Sequence, residues 1–241
     1  MIEHNKQSPY LLPGSIITAG VLIAGALFFS GSQPASRQVA QVGAGVAKEG
    51  NAVQPPSVNE NIKKVKAVSA DDHLFGSSKA KVKVVEFSDV ECSYCKKFTG
   101  TMKQAISDYN GKVAWVYRHY PLPFHASAQK GAEAAECVAE LGGNEKFWQY
   151  LDKLVEKEQL SIEVFVKTAE EIGLDKTKFE SCLESGKKAS RVTADMEDGS
   201  KSGCQGTPYS IVVVDGKPVS TIEGAYPIEE VKKIIDAAIG K

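Results

Sequence analysis

The sequence predicts an α/β fold in which a central mixed sheet is flanked by helices and interrupted by an inserted helical block. Two β-rich segments, 81–87 and 112–120, enclose a helical period, which makes a β-α-β unit with parallel strands. Residues 126–198 then show helical periods only. A hairpin over 211–222 adds antiparallel strands, so the sheet is expected to be mixed.

The overall composition is that of a globular protein. Of the 241 residues, 42% are hydrophobic and 24% are charged, which leaves room for one sizeable domain with appendages. The net charge is -1, and no basic stretch is interleaved with aromatic residues. Nucleic acid is therefore excluded as a partner.

An uncharged segment precedes the domain. Residues 14–30 carry no charge, and as a helix they would span roughly 25 Å, the lower limit for crossing a bilayer. We expect an uncleaved signal-anchor with residues 1–13 in the cytoplasm, because Lys6 precedes the segment, although Arg37 on the far side weakens this bias. A cleaved signal peptide is the alternative, since small residues lie near Ser30.

Residues 31–65 are rich in Gln, Ala, Gly, Ser, Val and Pro and have no sustained period. Such a composition predicts a flexible linker, which either lets the domain search a volume near the membrane or serves only as a spacer. The folded domain is expected to occupy residues 66–241.

Within the domain, the strand 81–87 is followed at once by Cys92, Cys95 and a helix that ends at Asn110-Gly111. The strand 112–120 comes next, and Gly142-Gly143 predicts a break in the following helical block. Asp215-Gly216 supplies a turn between residues 211–214 and 219–222, and a last helix is predicted over 228–239.

The sequence Cys92-Ser93-Tyr94-Cys95 predicts a redox centre. A thiolate is the form that attacks a disulfide, and a Cys at a helix N-terminus is stabilised as thiolate by unpaired backbone N–H groups. Each unit of pKa depression favours the thiolate by about 1.4 kcal/mol, which makes the disulfide more oxidising. Cys92 is therefore the expected attacking thiol and Cys95 the resolving thiol. Lys96 and Lys97 are expected to be solvated helix residues, the alternative being that they add positive charge near the thiolate.

Other uses of this cysteine pair fit less well. Structural zinc requires four ligands, and Cys137, Cys182 and Cys204 stand alone in the sequence. Haem attachment requires His after the second Cys, where this chain has Lys96. A structural disulfide would close too small a loop to stabilise much. No metal or cofactor is expected.

The order of these motifs resembles DsbA-like thiol:disulfide oxidoreductases, which have a thioredoxin fold with a helical insertion. The resemblance covers residues 68–241, places the insertion at about 125–198, and rests on "VVEFSDVECSYC", "YPLPFHASAQKGAEAAEC", "FWQYLDKL", "FESCLESGK" and "GTPYSIVV". It implies that Glu86 is a buried acid that assists proton transfer at Cys95, whereas strand alternation alone would also allow an exposed Glu86.

The resemblance further implies that Thr207-Pro208 is a cis-proline loop that contacts substrate, an ordinary trans turn being the alternative. Ser93 and Tyr94 occupy the positions that tune redox poise in this fold. Neither is charged, unlike the Pro-His dipeptide of the most oxidising relatives, so extreme oxidising power is in doubt.

The remaining cysteines have three possible arrangements. Relatives sometimes carry a structural disulfide in the helical insertion, which here would join Cys137 to Cys182 and stabilise by roughly 4 kcal/mol. Cys204 would then be the odd thiol. A Cys182–Cys204 bond and three buried free thiols are the alternatives. His125 is expected to be a local capping or packing residue.

These observations predict a membrane-anchored thiol:disulfide oxidoreductase whose catalytic domain lies outside the inner membrane, because an oxidising dithiol requires a space that cytosolic thiols do not reduce. Its expected substrates are reduced or misoxidised proteins, and a quinone-linked membrane protein would reoxidise it. We expect a monomer that mainly introduces disulfides. The alternatives are an isomerase or reductase, and a chaperone-like module that holds chains without catalysis.

Overall fold

The computed structural model describes residues 60–240. The predicted cytoplasmic segment 1–13, the signal-anchor 14–30 and the linker up to residue 59 lie outside the described residues. In the part of the chain that is described, no helix has both the length and the apolar character needed to cross a membrane.

The folded domain begins before the predicted boundary at residue 66. Glu60–Lys64 forms a 3-10 helix, and Ile62 within it is completely buried in the same cluster as Val85 and Phe87. The prediction that the linker extends to residue 65 is therefore wrong at this end. A single apolar anchor in a polar stretch has no periodicity by which the sequence could reveal it.

A five-stranded mixed sheet forms the centre of the domain. Its order is β1-β3-β2-β4-β5, in which β2 and β3 are parallel and all other neighbours are antiparallel. The strands are β1 His73–Gly76, β2 Val82–Ser88, β3 Val113–His119, β4 Tyr209–Val214 and β5 Lys217–Glu223. The predicted β-α-β unit and the hairpin are both present, and together they give the mixed sheet.

Six helices complete the described part of the domain. They are α1 Ser93–Asp108, α2 Ala128–Val155, α3 Ile162–Glu171, α4 Lys176–Glu184, α5 Ala189–Lys201 and α6 Ile228–Ala238. Helices α2 to α5 lie between β3 and β4 in sequence and form the predicted insertion. The predicted break occurs at Gly143, whose φ of 75° interrupts α2.

Strand β1 is absent from the prediction. It has only four residues, it lies at the edge of the sheet, and it pairs antiparallel with β3. Such a short segment has too few residues for alternation to distinguish it from a loop. The structure thus adds an edge strand on the side of the sheet away from the hairpin.

Both faces of the central strands are covered. Val84 and Trp115 belong to one apolar cluster, whereas Val85 and Val116 belong to a second cluster on the opposite face. Because β2 lies between β3 and β4 and is buried on both faces, every side chain of its second half is buried, whatever its place in the alternation.

The insertion is tied together by a disulfide between Cys137 on α2 and Cys182 on α4. This is the pairing that the family resemblance implies. Cys204 is a buried free thiol, so the alternative Cys182–Cys204 bond is not formed.

Buried ionic contacts fasten the insertion to the sheet. Arg118 of β3 donates to Asp72 and to Asp198 of α5. Glu136 of α2 contacts the Nε2 atoms of His73 at 2.7 Å and His119 at 3.1 Å. Burial alone would raise the pKa of Glu136, but hydrogen bonds from both imidazoles hold it well below its usual value.

Candidate active site

Cys92 occupies the N-cap position of α1. Its backbone is extended (φ -65°, ψ 121°), and its carbonyl oxygen accepts a hydrogen bond from Lys96 N at 3.0 Å. Strand β2 ends at Ser88, four residues before Cys92. The Cys92 sulfur therefore lies where the first backbone N–H groups of a helix have no intrahelical partner.

This environment makes Cys92 unusually acidic. The Cys95 thiol lowers the pKa of Cys92 most, and the backbone N–H groups of Cys95 and Tyr94 and the Thr207 side chain act in the same direction, so that the pKa falls to about 5 despite partial burial. The sequence argument named the helix N-terminus as the cause, but the neighbouring thiol contributes more. At neutral pH Cys92 is accordingly a thiolate.

Cys95 has the opposite character. It is only 3% exposed, and burial raises its pKa, with Cys92 and Glu86 acting in the same direction. The backbone N–H of Asp89 donates to its sulfur at 3.5 Å. One cysteine is thus charged and the other neutral, as required for an attacking thiolate and a protonated resolving thiol.

The loop before β4 lies against the redox pair. The Thr207-Pro208 peptide bond is cis, and Cys92 Sγ lies 3.5 Å from the Thr207 carbonyl oxygen, to which it can donate only when it is protonated. An open hollow beside this loop is lined by Gly206, Thr207, Pro208 and, from β5, Glu223. The fold therefore brings together two segments that are more than 100 residues apart in sequence.

The residues between and after the cysteines differ in exposure. Tyr94 is 62% exposed, and the Lys97 ammonium lies 5.9 Å from the centre of its ring. Ser93 is also exposed. Lys96, by contrast, donates to the Lys157 carbonyl oxygen at 2.8 Å and so fastens α1 to the insertion. The expectation that Lys96 is a solvated helix residue is wrong.

Glu86 is completely buried, in agreement with the family resemblance and not with the exposed alternative. It lies in β2 opposite Tyr117 of β3 and Ser210 of β4. Neither carboxyl oxygen makes a hydrogen bond of normal geometry. Burial raises the pKa of Glu86 to about 8, although nearby Ser88 and Trp115 oppose this rise.

Asp89 is a site residue that the sequence argument missed. Its buried carboxylate accepts hydrogen bonds from the backbone N–H groups of Glu91 and Leu122 and contacts His125 Nδ1, each at 2.8 Å. It thereby joins the loop that carries Cys92 to the loop after β3. An acid placed between a strand and a helix is the available signal, since Asp commonly binds the backbone two residues ahead. His125 does not cap α2, whose N-cap is Ser127, and its side-chain contact with Asp89 joins residues that are 36 positions apart in sequence.

The Glu86→Gln variant should lose a pH-dependent step. In the wild type, a carboxylate formed above about pH 8 can remove the proton from Cys95, so the rate at which Cys95 resolves a mixed disulfide should rise with pH through that value. The variant should lose this inflection. Above about pH 8, its rate of resolution should be roughly 10²-fold lower than that of the wild type. Stopped-flow kinetics across pH measures both effects, and Glu184→Gln, an exposed carboxyl on α4, is the matched control. An unchanged profile in Glu86→Gln would refute the role of Glu86.

The comparisons with known proteins agree on the fold family of the chain. The family model described as thioredoxin matches residues 68–237. DsbA2 of Pseudomonas aeruginosa is 25% identical, with a TM-score of 0.61 over 72% of this chain and 97% of that one. BdbD of Bacillus subtilis is 24% identical, and its TM-score of 0.60 over 73% of this chain and 98% of that one shows the same fold.

Among curated proteins, the chain is 36% identical over 143 residues to the Na(+)/H(+) antiporter NhaA 3 of Salinispora tropica. The matched residues make up 58% of this chain and 21% of that protein. It is 30% identical over 168 residues to the NhaA antiporter of Herminiimonas arsenicoxydans, 69% of this chain and 25% of that protein. The chain thus spans about a quarter of these relatives or less, and their transport activity is not transferred to it. Because the family model matches most of the chain and a pair of cysteines lies at the N-terminus of α1, the chain belongs to the thioredoxin family, with a fold similar to that of DsbA2.

Proposed function

We propose that the chain is a thiol:disulfide oxidoreductase that is anchored in the cell membrane by residues 14–30 and introduces disulfide bonds into extracytoplasmic proteins. The feature that supports this direction of transfer is the opposite shift of the two cysteine pKa values, with the pKa lowered at Cys92 and raised at Cys95. A sulfur with a pKa of about 5 is a good leaving group, and its preference for the thiolate stabilises the reduced enzyme. The oxidised enzyme therefore tends to pass its disulfide to other proteins.

In the proposed reaction, a substrate thiolate attacks Cys92 Sγ of the Cys92–Cys95 disulfide. The enzyme disulfide breaks, a mixed disulfide forms at Cys92, and Cys95 leaves with a proton donated by Glu86. A second substrate thiolate then attacks the substrate sulfur of the mixed disulfide, and Cys92 leaves as a thiolate. The substrate loses two electrons and the enzyme gains them.

The cis loop is the proposed substrate contact. Thr207 lies within hydrogen-bond distance of Cys92, and the hollow beside Pro208 is open to solvent. An extended substrate segment that pairs with the Thr207 backbone would present its cysteine to Cys92. We further propose that the enzyme acts as a monomer and that a quinone-linked membrane protein reoxidises it.

Isomerase or reductase activity is the second candidate, because the uncharged Ser93 and Tyr94 give Cys92 no additional positive charge. The reduction potential of the Cys92/Cys95 couple separates these functions. Equilibration with glutathione, followed by alkylation and mass spectrometry, should give a value above about -180 mV for an oxidase. A value near that of thioredoxin, roughly -270 mV, would contradict the proposed direction and support a reductase.

A further inference from the structure

A hollow lined by lysines lies on the side of the domain where the described chain begins. Lys63 and Lys66 border it from the segment before β1, and Lys81 and Lys83 from the start of β2. Gly216 of the β4–β5 turn and Pro218 of β5 also line it. Two segments of the chain thus contribute four lysines to the lining of one concave surface.

Most of this positive charge has no acidic partner. Lys63 pairs with Glu60 at 2.7 Å, but Lys66, Lys81 and Lys83 form no ion pair within residues 60–240. Lys66 donates to the Ala194 carbonyl oxygen at 3.2 Å and Lys83 to that of Ala80 at 2.7 Å. Each ammonium has three donors, so both retain N–H groups for another acceptor.

Glu60 pairs with Lys63. Asp198 accepts from the backbone N–H of Lys66 at 2.8 Å while it pairs with Arg118. A third acid, Asp215, lies close to the hollow in the β4–β5 turn. Its backbone N–H donates to the Lys81 carbonyl oxygen at 2.9 Å, but its carboxylate pairs with none of the four lysines. The hollow therefore holds more positive than negative charge although the whole chain has a net charge of -1. A concave surface of one sign concentrates ions of the opposite sign.

The position of the hollow indicates where its ligand comes from. Residues 31–59 separate the proposed membrane segment from the described domain, and a chain of 29 residues that behaves as the sequence predicts for a linker would have a root-mean-square span of roughly 30 Å. Lys63 lies three residues after the start of the described chain. If residues 14–30 anchor the chain as proposed, this length would keep the hollow within reach of the bilayer surface at a high effective concentration.

The hollow also lies away from the redox centre. Lys83 lies at the N-terminal end of β2 and Lys81 immediately precedes the strand. Cys92 lies beyond the other end of β2, four residues after Ser88. At about 3.3 Å per residue, the strand from Lys81 to Ser88 spans roughly 23 Å. A ligand held at the lysines would therefore leave Cys92 and the cis loop free for substrate.

We propose that this lysine-lined hollow binds the phosphodiester headgroup of an anionic phospholipid, and that this contact docks the domain on the bilayer that anchors it. The inference rests on the proposed membrane anchoring. It adds an orientation to that anchoring, in which the redox centre faces away from the lipid.

Energy transfer in the full chain tests the docking. The chain is inserted into phosphatidylcholine vesicles with or without phosphatidylglycerol, and transfer is measured from Trp115 and Trp148, its two tryptophans, to a dansyl headgroup lipid. Transfer should be higher in the anionic vesicles at about 0.1 M salt and should fall to the neutral-vesicle level at about 1 M salt. The triple variant K66Q/K81Q/K83Q should stay at the neutral-vesicle level throughout.

The matched control is K167Q/K176Q/K178Q, which removes the same charge from exposed positions on α3 and α4 and should behave as wild type. Equal transfer in both vesicle types, or a full response in K66Q/K81Q/K83Q, would overturn the proposal. Inorganic phosphate that abolishes the response at constant ionic strength would also overturn it, because the site would then prefer a soluble anion. Protein that is washed off the vesicles by alkaline carbonate would instead refute the membrane anchoring.

Discussion

Replacing Cys92 with Ala should abolish the exchange of disulfides with protein substrates. Cys92 is the one sulfur in the described chain whose pKa is lowered, so neither Cys95 nor Cys204, whose pKa values are raised, can take its place at neutral pH. Oxidative refolding of a reduced substrate protein, followed by recovery of its activity, measures the loss. The expected rate is that of buffer alone.

Cys95→Ala should have a different defect. The variant loses the thiol that lowers the pKa of Cys92 most, but the backbone N–H groups and Thr207 still lower it, so Cys92 can attack a substrate disulfide. Because no resolving thiol remains, a mixed disulfide should accumulate and be visible on a non-reducing gel. Cys204→Ala, which removes a buried free thiol beside the cis loop, is the matched control and should retain activity. Refolding activity in Cys92→Ala would favour a chaperone-like module that holds chains without catalysis.

Removing the structural disulfide should cost the protein much of its stability. Cys137 and Cys182 are 45 residues apart, and cross-linking a loop of that length stabilises by about 4 kcal/mol on the chain-entropy model. The double variant Cys137→Ala/Cys182→Ala should therefore unfold roughly 10 °C lower in Tm. Calorimetry of the wild type and the variant measures the shift.

Cys204→Ala serves as the control here too, because it changes a buried cysteine without opening a cross-link. The disulfide lies in the insertion, away from Cys92, so the folded double variant should keep the low pKa of Cys92. A double variant as stable as the control would show that the bond adds nothing to the stability of the insertion.

The redox centre was largely predictable because its chemistry is local. A β-rich run, two cysteines two residues apart and a helical period fix the position of Cys92 at a helix N-terminus without any tertiary information. The β-α-β order likewise fixes β2 and β3 as parallel neighbours. In both cases adjacent residues carry the signal.

Features that depend on packing were harder to predict. Alternation left the exposure of Glu86 open, because it assumes that one face of a strand meets solvent, whereas β2 is covered on both faces. Ile62 and β1 gain their stability from distant partners, β2 and β3, and have no period of their own. Asp89 joins two loops that are adjacent only in the fold.

The central claim is that Cys92 is a thiolate at neutral pH, and titration of its ultraviolet thiolate absorbance in the reduced protein tests it most directly. Within the acidic range, we predict a single transition near pH 5 that is absent from Cys92→Ala and retained in Cys204→Ala. A Cys92 that titrates at its ordinary value near pH 9.0 would contradict both the reaction and its direction.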